Sequence, residues 1–163
     1  MIDIDYLFEA LQCKFGGDWV MVCRFHYHVS DMVNWDELDK KYDGRVINGN
    51  LSDDMAEYLV CADILMTDAS SCMFDYIITG KPCFLFFPDV DNYENRERGF
   101  YYPIKKLPFP ISVNFKELLD DISDFDYKDY SEGVNKLKSD FGYYEDGESS
   151  ERILKWIIED VRE

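Results

Sequence analysis

The chain has 163 residues, 47% of them hydrophobic, and carries 34 Asp and Glu against 17 Lys and Arg, for a formal net charge of -17. That length suits one globular unit with a sizeable core and is short for two. The charge repels polyanions and so argues against nucleic acid as a partner, because affinity for it rests on neutralising phosphates.

The chain opens on "MIDIDYLFEALQ", which is acidic and lacks the basic region of a leader peptide. Ile4, Leu7, Phe8 and Leu11 recur at helical spacing behind Asp3, a residue suited to N-capping, and Gly16-Gly17 ends the run. An amphipathic first helix is predicted. "WVMVCRF" (19–25) follows as a continuous apolar run of strand length, as a parallel strand buried on both faces requires. His26 falls just past its carboxyl end. "SDMVNWDELDKKY" predicts a short helix with Val33 and Leu38 turned inward, and "RVIN" (45–48) a second strand. Ser52 is the predicted cap of a helix carrying Met55, Leu59 and Val60.

"DILMT" (63–67) and "CFLFF" (83–87) are the third and fourth predicted strands, joined by a helix from about Ser70 to Thr79 that Gly80 and Pro82 terminate. Beyond Pro88 lies a long aromatic and charged connection in which Arg96, Arg98, Lys105 and Lys106 cluster, a local attraction for anions on an acidic chain. Helices over 115–122, 130–141 and 150–161 close the chain, and the last shows an apolar stripe (Ile153, Leu154, Trp156, Ile157, Val161) expected to pack back on the sheet. No linker or repeat divides residues 1–163. The alternation of strands and helices predicts an α/β fold, a Rossmann-like parallel sheet with helices on both faces.

Five cysteines, at Cys13, Cys23, Cys61, Cys72 and Cys83, form no C-x-x-C pair and sit mostly among apolar neighbours, which suits a reducing cytoplasm. No stretch reaches the ~18 apolar residues of a membrane span.

Ligands of open α/β sheets bind at the carboxyl ends of the strands, the edge to which His26, residues 48–50, residues 68–71 and Pro88 onward map. At Ser70 and Ser71 a helix begins, and its first amides and hydroxyls can either cradle a phosphate or simply cap the helix. Asp68 either shapes this turn locally or contacts a ligand. Nothing beside it has the spacing of magnesium ligands, and no metal is expected.

The segment "ADILMTDASSCMFDYIITGKPCFLFFPDVDNYENRERGFYYP" resembles the nucleotide-binding half of the CDP-glycerol glycerophosphotransferases, the teichoic acid polymerase and primase family. The matching residues are Asp63, Thr67-Asp68-Ala69-Ser70-Ser71, Phe74-Asp75, Lys81-Pro82, Asp89 with Tyr93, and Arg98-Gly99-Phe100-Tyr101. "VMVCRFH" resembles the family's strand ending in a histidine, with Tyr27 where the family carries proline, and "EDGESSERI" (145–153) resembles its closing segment. The family is similar to GT-B glycosyltransferases, whose C-terminal domain binds the nucleotide donor while a separate N-terminal domain faces the acceptor.

This resemblance implies a donor-binding half whose substrate is CDP-glycerol, without further cofactor. Ser70 and Ser71 are implied to hold the pyrophosphate, Asp75 and Asp68 to face the ribose and nucleotide, Arg98 and Arg24 to counter phosphate charge, and His26 to act as acid or charge stabiliser at the CMP leaving group. His28, two residues on in an extended chain, would face away and is expected to be structural. The implied activity is transfer of glycerol phosphate to a polyol-phosphate or sugar acceptor. A non-catalytic nucleotide-binding module and a related nucleotide-sugar transferase domain are the alternatives. A homodimer or an N-terminal partner domain is expected at an exposed edge, with a cytoplasmic setting, peripheral to the membrane only through such a partner.

Overall fold

The structure, a computed structural model, describes residues 2–52, 54–68, 70–90 and 102–160. Helix α1 (Ile4–Phe15) starts as predicted: the Asp3 carboxylate accepts from the amides of Asp5 and Tyr6 at 3.1 and 3.4 Å, and Gly16, at φ 74°, ends it in a conformation that suits glycine. Leu7, Phe8 and Leu11 form its buried face.

Strand β1 (Met21–Cys23) is shorter than the apolar run that encodes it, because only three residues find a partner. It is followed by a single helical turn, α2 (Tyr27–Ser30), and by α3 (Trp35–Tyr42), capped by Asn34. Strand β2 (Val46–Asn48) pairs with β1 in parallel, Met21 opposite Val46. A 3-10 turn (Gly49–Leu51) leads into α4 (Met55–Cys61). The cap of α4 is Asp54, whose carboxylate accepts from the Ala56 amide at 2.8 Å; Ser52 sits one step back, accepting from the Asp54 amide at 3.4 Å. Val33 and Leu38 are half-buried, and Val60 is 69% exposed.

Strand β3 (Leu65–Thr67), helix α5 (Cys72–Tyr76) with its 3-10 continuation (Ile77–Thr79), and β4 (Cys83–Phe86) form the predicted strand-helix-strand unit, and Gly80 closes the helix at φ 69°. A short strand, β5 (Ile111–Ser112), then pairs with β4, giving the parallel order β3-β4-β5. Two residues behind Pro110 carry no periodicity, so this strand is hidden within what reads as a connection. Helices α6 (Phe115–Asp124), α7 (Tyr127–Asp140) and α8 (Ser149–Asp160) complete the chain.

The core centres on β4. Cys83, Phe84 and Leu85 are fully buried, and so are the neighbouring Tyr76, Leu118 and Ile122. A strand apolar on both faces is stable only between two helical layers, which is why the alternation of elements is legible at all. A smaller cluster of Phe8, Tyr42 and Val46 lies between α1, α3 and β2, and Trp19 and Met21 pack against both clusters. At the amino edge of β3 and β4 the polar groups are satisfied internally: the Ala62 carbonyl accepts from Tyr76 Oη at 3.1 Å and Lys81 Nζ at 2.7 Å, while Tyr130 Oη donates to the Lys81 carbonyl at 2.9 Å. Burial pushes both phenols above their ordinary value, so they remain donors.

The last helix departs from expectation. No residue of α8 is buried, and Ile153, Leu154 and Trp156 are 57%, 57% and 67% exposed. Periodicity marks an apolar stripe without specifying what covers it. The first turn of α8 is bound to the short segment that leads into it. Asp146 Oδ1 accepts from Arg152 Nη1 at 2.6 Å and from the Glu148 amide at 2.9 Å, Arg152 Nη2 donates to Ser149 Oγ at 2.9 Å, and the guanidinium lies 4.9 Å from the Tyr144 ring centre.

Two outcomes are expected. Phe84→Ala opens a cavity at the centre of the core and lowers unfolding free energy by about 3–5 kcal/mol in urea titrations. The Arg152 contact and the Glu148 amide hold the Asp146 carboxyl down to about 2 from an ordinary 3.8. Its stabilising contribution is therefore complete above the ordinary value and is lost as pH falls from there toward about 2. In Arg152→Gln the Asp146 carboxyl carbon, followed by NMR, titrates back near the ordinary carboxylate range.

Candidate functional site

The chain leaves β1 at its carboxyl end through Arg24, Phe25 and His26. Asn50 brackets the backbone of Phe25 from both sides: its Oδ1 accepts from the Phe25 amide at 3.0 Å and its Nδ2 donates to the Phe25 carbonyl at 2.5 Å. The Asn50 amide in turn donates to Asn48 Oδ1 at 3.0 Å. Gly49 allows this close approach, since a Cβ there would lie 2.8 Å from Val22 Cγ1 and 3.2 Å from the Cys23 carbonyl oxygen. His26 is exposed, and its carbonyl accepts from the amides of Val29 and Ser30 at 2.8 and 3.1 Å, so it stands where extended chain becomes helix α2. Residues 27–30 are therefore helical rather than extended.

Arg24 is engaged by backbone carbonyls of the protein itself. Its Nη1 donates to the Gly49 carbonyl at 2.9 Å and to the Ser52 carbonyl, and its guanidinium lies 5.7 Å from the Tyr58 ring centre. These contacts make it a fastener between the end of β1, the 3-10 turn and α4. Arg98 lies outside the described residues.

At the end of β3 the hydroxyl turn is built tightly. The Ser70 amide donates to the Asp68 carbonyl at 2.8 Å, so Asp68 shapes the turn through its backbone while its side chain is exposed. Ser70 Oγ accepts from the Cys72 amide at 3.4 Å, which gives the capping task to Ser70. Ser71 already has helical angles (φ -62°, ψ -18°) and makes no side-chain cap. Among the described residues its amide and hydroxyl have no hydrogen-bond partner, and the residue is exposed. Thr67 Oγ1 lies 3.7 Å from Cys72 Sγ and ties the strand end to the first turn of α5.

Asp75 is exposed on that first turn. Beside it the motif residue Phe74 joins an aromatic group that the motif does not contain: Phe74 packs on Phe141 at 6.2 Å between ring centres, and Tyr102 on Phe141 at 5.1 Å. Burial, then the carboxylates of Glu145 and Asp75, push the Tyr143 phenol above its ordinary value. These rings come from segments far apart in the chain, and no spacing announces them. Asp63 and Lys81, also motif residues, are 3.6 Å apart at the opposite, amino edge, where they serve the clamp on Ala62.

Ser71 and Asp75 are exposed at this turn. One surface depression of about 590 Å³ lies along α3 and another of about 330 Å³ beside Gly16, Trp19, Asp63 and Tyr127.

Two parallel sheets, β1-β2 and β3-β4-β5, flanked by helices and with a hydroxyl-bearing turn at the carboxyl end of β3, form the α/β architecture shared with GT-B-like transferases. Residues 1–159 match the family described as CDP-Glycerol:Poly(glycerophosphate) glycerophosphotransferase, and the chain belongs to that family. It is 32% identical to a teichoic acid poly(glycerol phosphate) polymerase of Staphylococcus epidermidis over 99% of this chain and 22% of the relative. It is 31% identical to a teichoic acid glycerol-phosphate transferase of Staphylococcus aureus over 96% of this chain and 39% of the relative. The solved wall teichoic acid polymerase TagF superimposes with a TM-score of 0.73 at 30% identity, covering 94% of this chain and 38% of that one. A TagF variant soaked with CDPG superimposes with a TM-score of 0.70 at 28% identity, covering 94% of this chain and 38% of that one. The chain thus spans between 22% and 39% of the length of these relatives.

Asn50→Ala is expected to release the Phe25 backbone, costing about 1 kcal/mol of stability. The amides of residues 25–30 should then exchange with deuterium faster than in the unaltered chain, while those of β4 do not change.

Proposed function

We propose that this chain is the donor-binding half of a glycerophosphotransferase, holding CDP-glycerol while glycerol phosphate passes to a polyol-phosphate or sugar acceptor in the synthesis of a teichoic-acid-like polymer. The observation that carries this reading is the family match over residues 1–159, together with the likeness to TagF, which has been soaked with CDPG. A nucleotide donor and five free cysteines both favour a cytoplasmic setting.

In this reading the pyrophosphate of the donor lies against the start of α5. The Ser71 amide and hydroxyl donate to its oxygens, and Ser70 holds the helix start rigid behind them. Asp75 accepts from the ribose hydroxyls, with Asp68 at the rim of the nucleotide. Arg98 supplies positive charge to the phosphates. Arg24 contributes by positioning, since it fastens the turn that carries Asn50 and so the approach to His26. The acceptor hydroxyl attacks the β-phosphorus in line, forming a new P–O bond as the bond from the β-phosphorus to the bridging oxygen breaks. CMP departs with that electron pair, and His26 donates the proton that neutralises it or stabilises the developing charge. The acceptor hydroxyl loses its proton to a base outside this domain. That base and the acceptor surface belong, in this reading, to a companion domain of the kind GT-B transferases carry.

Titration of the chain with CDP-glycerol, followed by amide NMR, tests the reading. The amides of residues 70–75 are expected to shift, and the S70A/S71A double variant to bind about 10- to 100-fold more weakly, the loss expected for hydrogen bonds to a charged group. His26→Ala is expected to retain binding and to lower CMP release about 100-fold or more where release is measurable. CDP-glycerol binding without CMP release favours the binding-module alternative, and a donor that leaves residues 70–75 undisturbed refutes the site.

A further inference from the structure

Resting on the donor-half reading, we infer that Tyr143 is a specificity-determining residue of the nucleotide site, its phenol donating to a ribose hydroxyl whose own proton Asp75 accepts. The segment that closes α7 carries this phenol to the site. The amides of Phe141, Gly142 and Tyr143 donate to the carbonyls of Leu137, Ser139 and Lys138 at 3.1, 3.1 and 2.8 Å, which turns the chain back at the end of the helix. Phe141 then packs on Phe74, the residue before Asp75, with 6.2 Å between ring centres, and Tyr102 lies against Phe141 at 5.1 Å. These contacts bring Tyr143 beside the first turn of α5. The phenol feels the Asp75 charge there, since the Glu145 and Asp75 carboxylates add to burial in raising it above its ordinary value, and so it stays an O–H donor.

Both groups are available to a ligand. Among the described residues the Tyr143 hydroxyl and the Asp75 carboxylate make no hydrogen bond, and Asp75 is exposed while Tyr143 is half-buried. Glu145, the other carboxylate near the phenol, is already engaged, accepting from Ser149 Oγ at 3.2 Å. The segment is held on both sides of the phenol, by Phe141 on Phe74 before it and by the Arg152 guanidinium, 4.9 Å from the Tyr144 ring centre and paired with Asp146, after it. A phenol beside a carboxylate offers one donor and one acceptor, the complement of a hydroxyl, which has one proton to give and lone pairs to receive. An ionised phosphate has only acceptors and meets Asp75 as a like charge, so it does not belong at this position. A cytosine edge also carries donors and acceptors, but distance favours the sugar. Asp75 lies four residues beyond Ser71, a rise of about 6 Å along a helix, and in a nucleoside diphosphate the ribose is what adjoins the phosphates.

Calorimetric titration with cytidine diphosphate and with dideoxycytidine diphosphate, which lacks both ribose hydroxyls, tests the inference. The unaltered chain is expected to bind the ribose form at least about tenfold more tightly, and Tyr143→Phe to weaken that form by about 5- to 10-fold, the size of one hydrogen bond. Binding of the dideoxy form is expected to be the same in both chains, and the melting temperature to move by no more than ~2 °C. In an Asp75→Asn background the same substitution is expected to add no more than about twofold, because the two groups act on one hydroxyl. Equal weakening of both nucleotides by Tyr143→Phe shows a merely structural role and overturns the inference. So does an unchanged preference for the ribose form, additive effects of the two substitutions, or a loss of preference for cytidine over uridine diphosphate in place of the ribose effect. Binding of neither nucleotide by the unaltered chain refutes the donor-half reading itself, whereas a bound cytidine diphosphate whose ribose preference survives Tyr143→Phe refutes the role of Tyr143 alone.

Discussion

The Ala62 carbonyl is the point on which the arrangement of the domain turns. It accepts from the Tyr76 phenol and from the Lys81 ammonium, and Lys81 offers its own carbonyl to the Tyr130 phenol. Three elements, α4, α5 and α7, are thereby tied to the amino edge of the sheet by groups that burial keeps protonated or that carry a fixed positive charge. The strand they enclose, β4, has no polar face. Its burial supplies the driving force, and the clamp supplies the orientation that burial alone, being non-directional, cannot.

That orientation decides what the opposite edge presents. Helix α5 is held at its far end by Tyr76 and at its near end by the Thr67 and Cys72 contact, so its first turn points out at the carboxyl edge with little freedom. Residues that appear together in one sequence motif therefore separate into two tasks. Asp63 and Lys81 stabilise the amino edge, whereas Thr67, Asp68 and residues 70–75 form the turn and first helix at the carboxyl edge. On the other ladder, the Asn50 bracket and the Arg24 fastener do for the His26 approach what the Tyr76 clamp does for α5.

Much of this arrangement is legible in the amino-acid sequence. The Asp3 cap, the closing glycines and the strand-helix alternation are short-range signals whose physics is local, and they agree with the fold to within a few residues. The stripe at Ile153 to Ile157 does not pack on the sheet as expected, because a helical period encodes an apolar face and leaves its partner unspecified. Strand β5 escapes notice because two residues in a ladder are defined by their neighbour rather than by themselves. Of the candidate site, the serine turn is legible as a dual possibility, and the roles of Ser70 and Ser71 separate only in three dimensions. The carbonyl partners of Arg24 leave no mark in the sequence, which shows only the guanidinium. The aromatic group of Phe74, Tyr102 and Phe141 leaves no trace in spacing.

The unequal geometry of the adjacent serines has a consequence for how such chains diverge. Position 70 answers to the folding of α5, and any short side chain able to receive the Cys72 amide, such as aspartate, asparagine or threonine, preserves that duty. The Ser71 side chain makes no hydrogen bond among the described residues, so the fold by itself leaves the second serine freer to vary than the first.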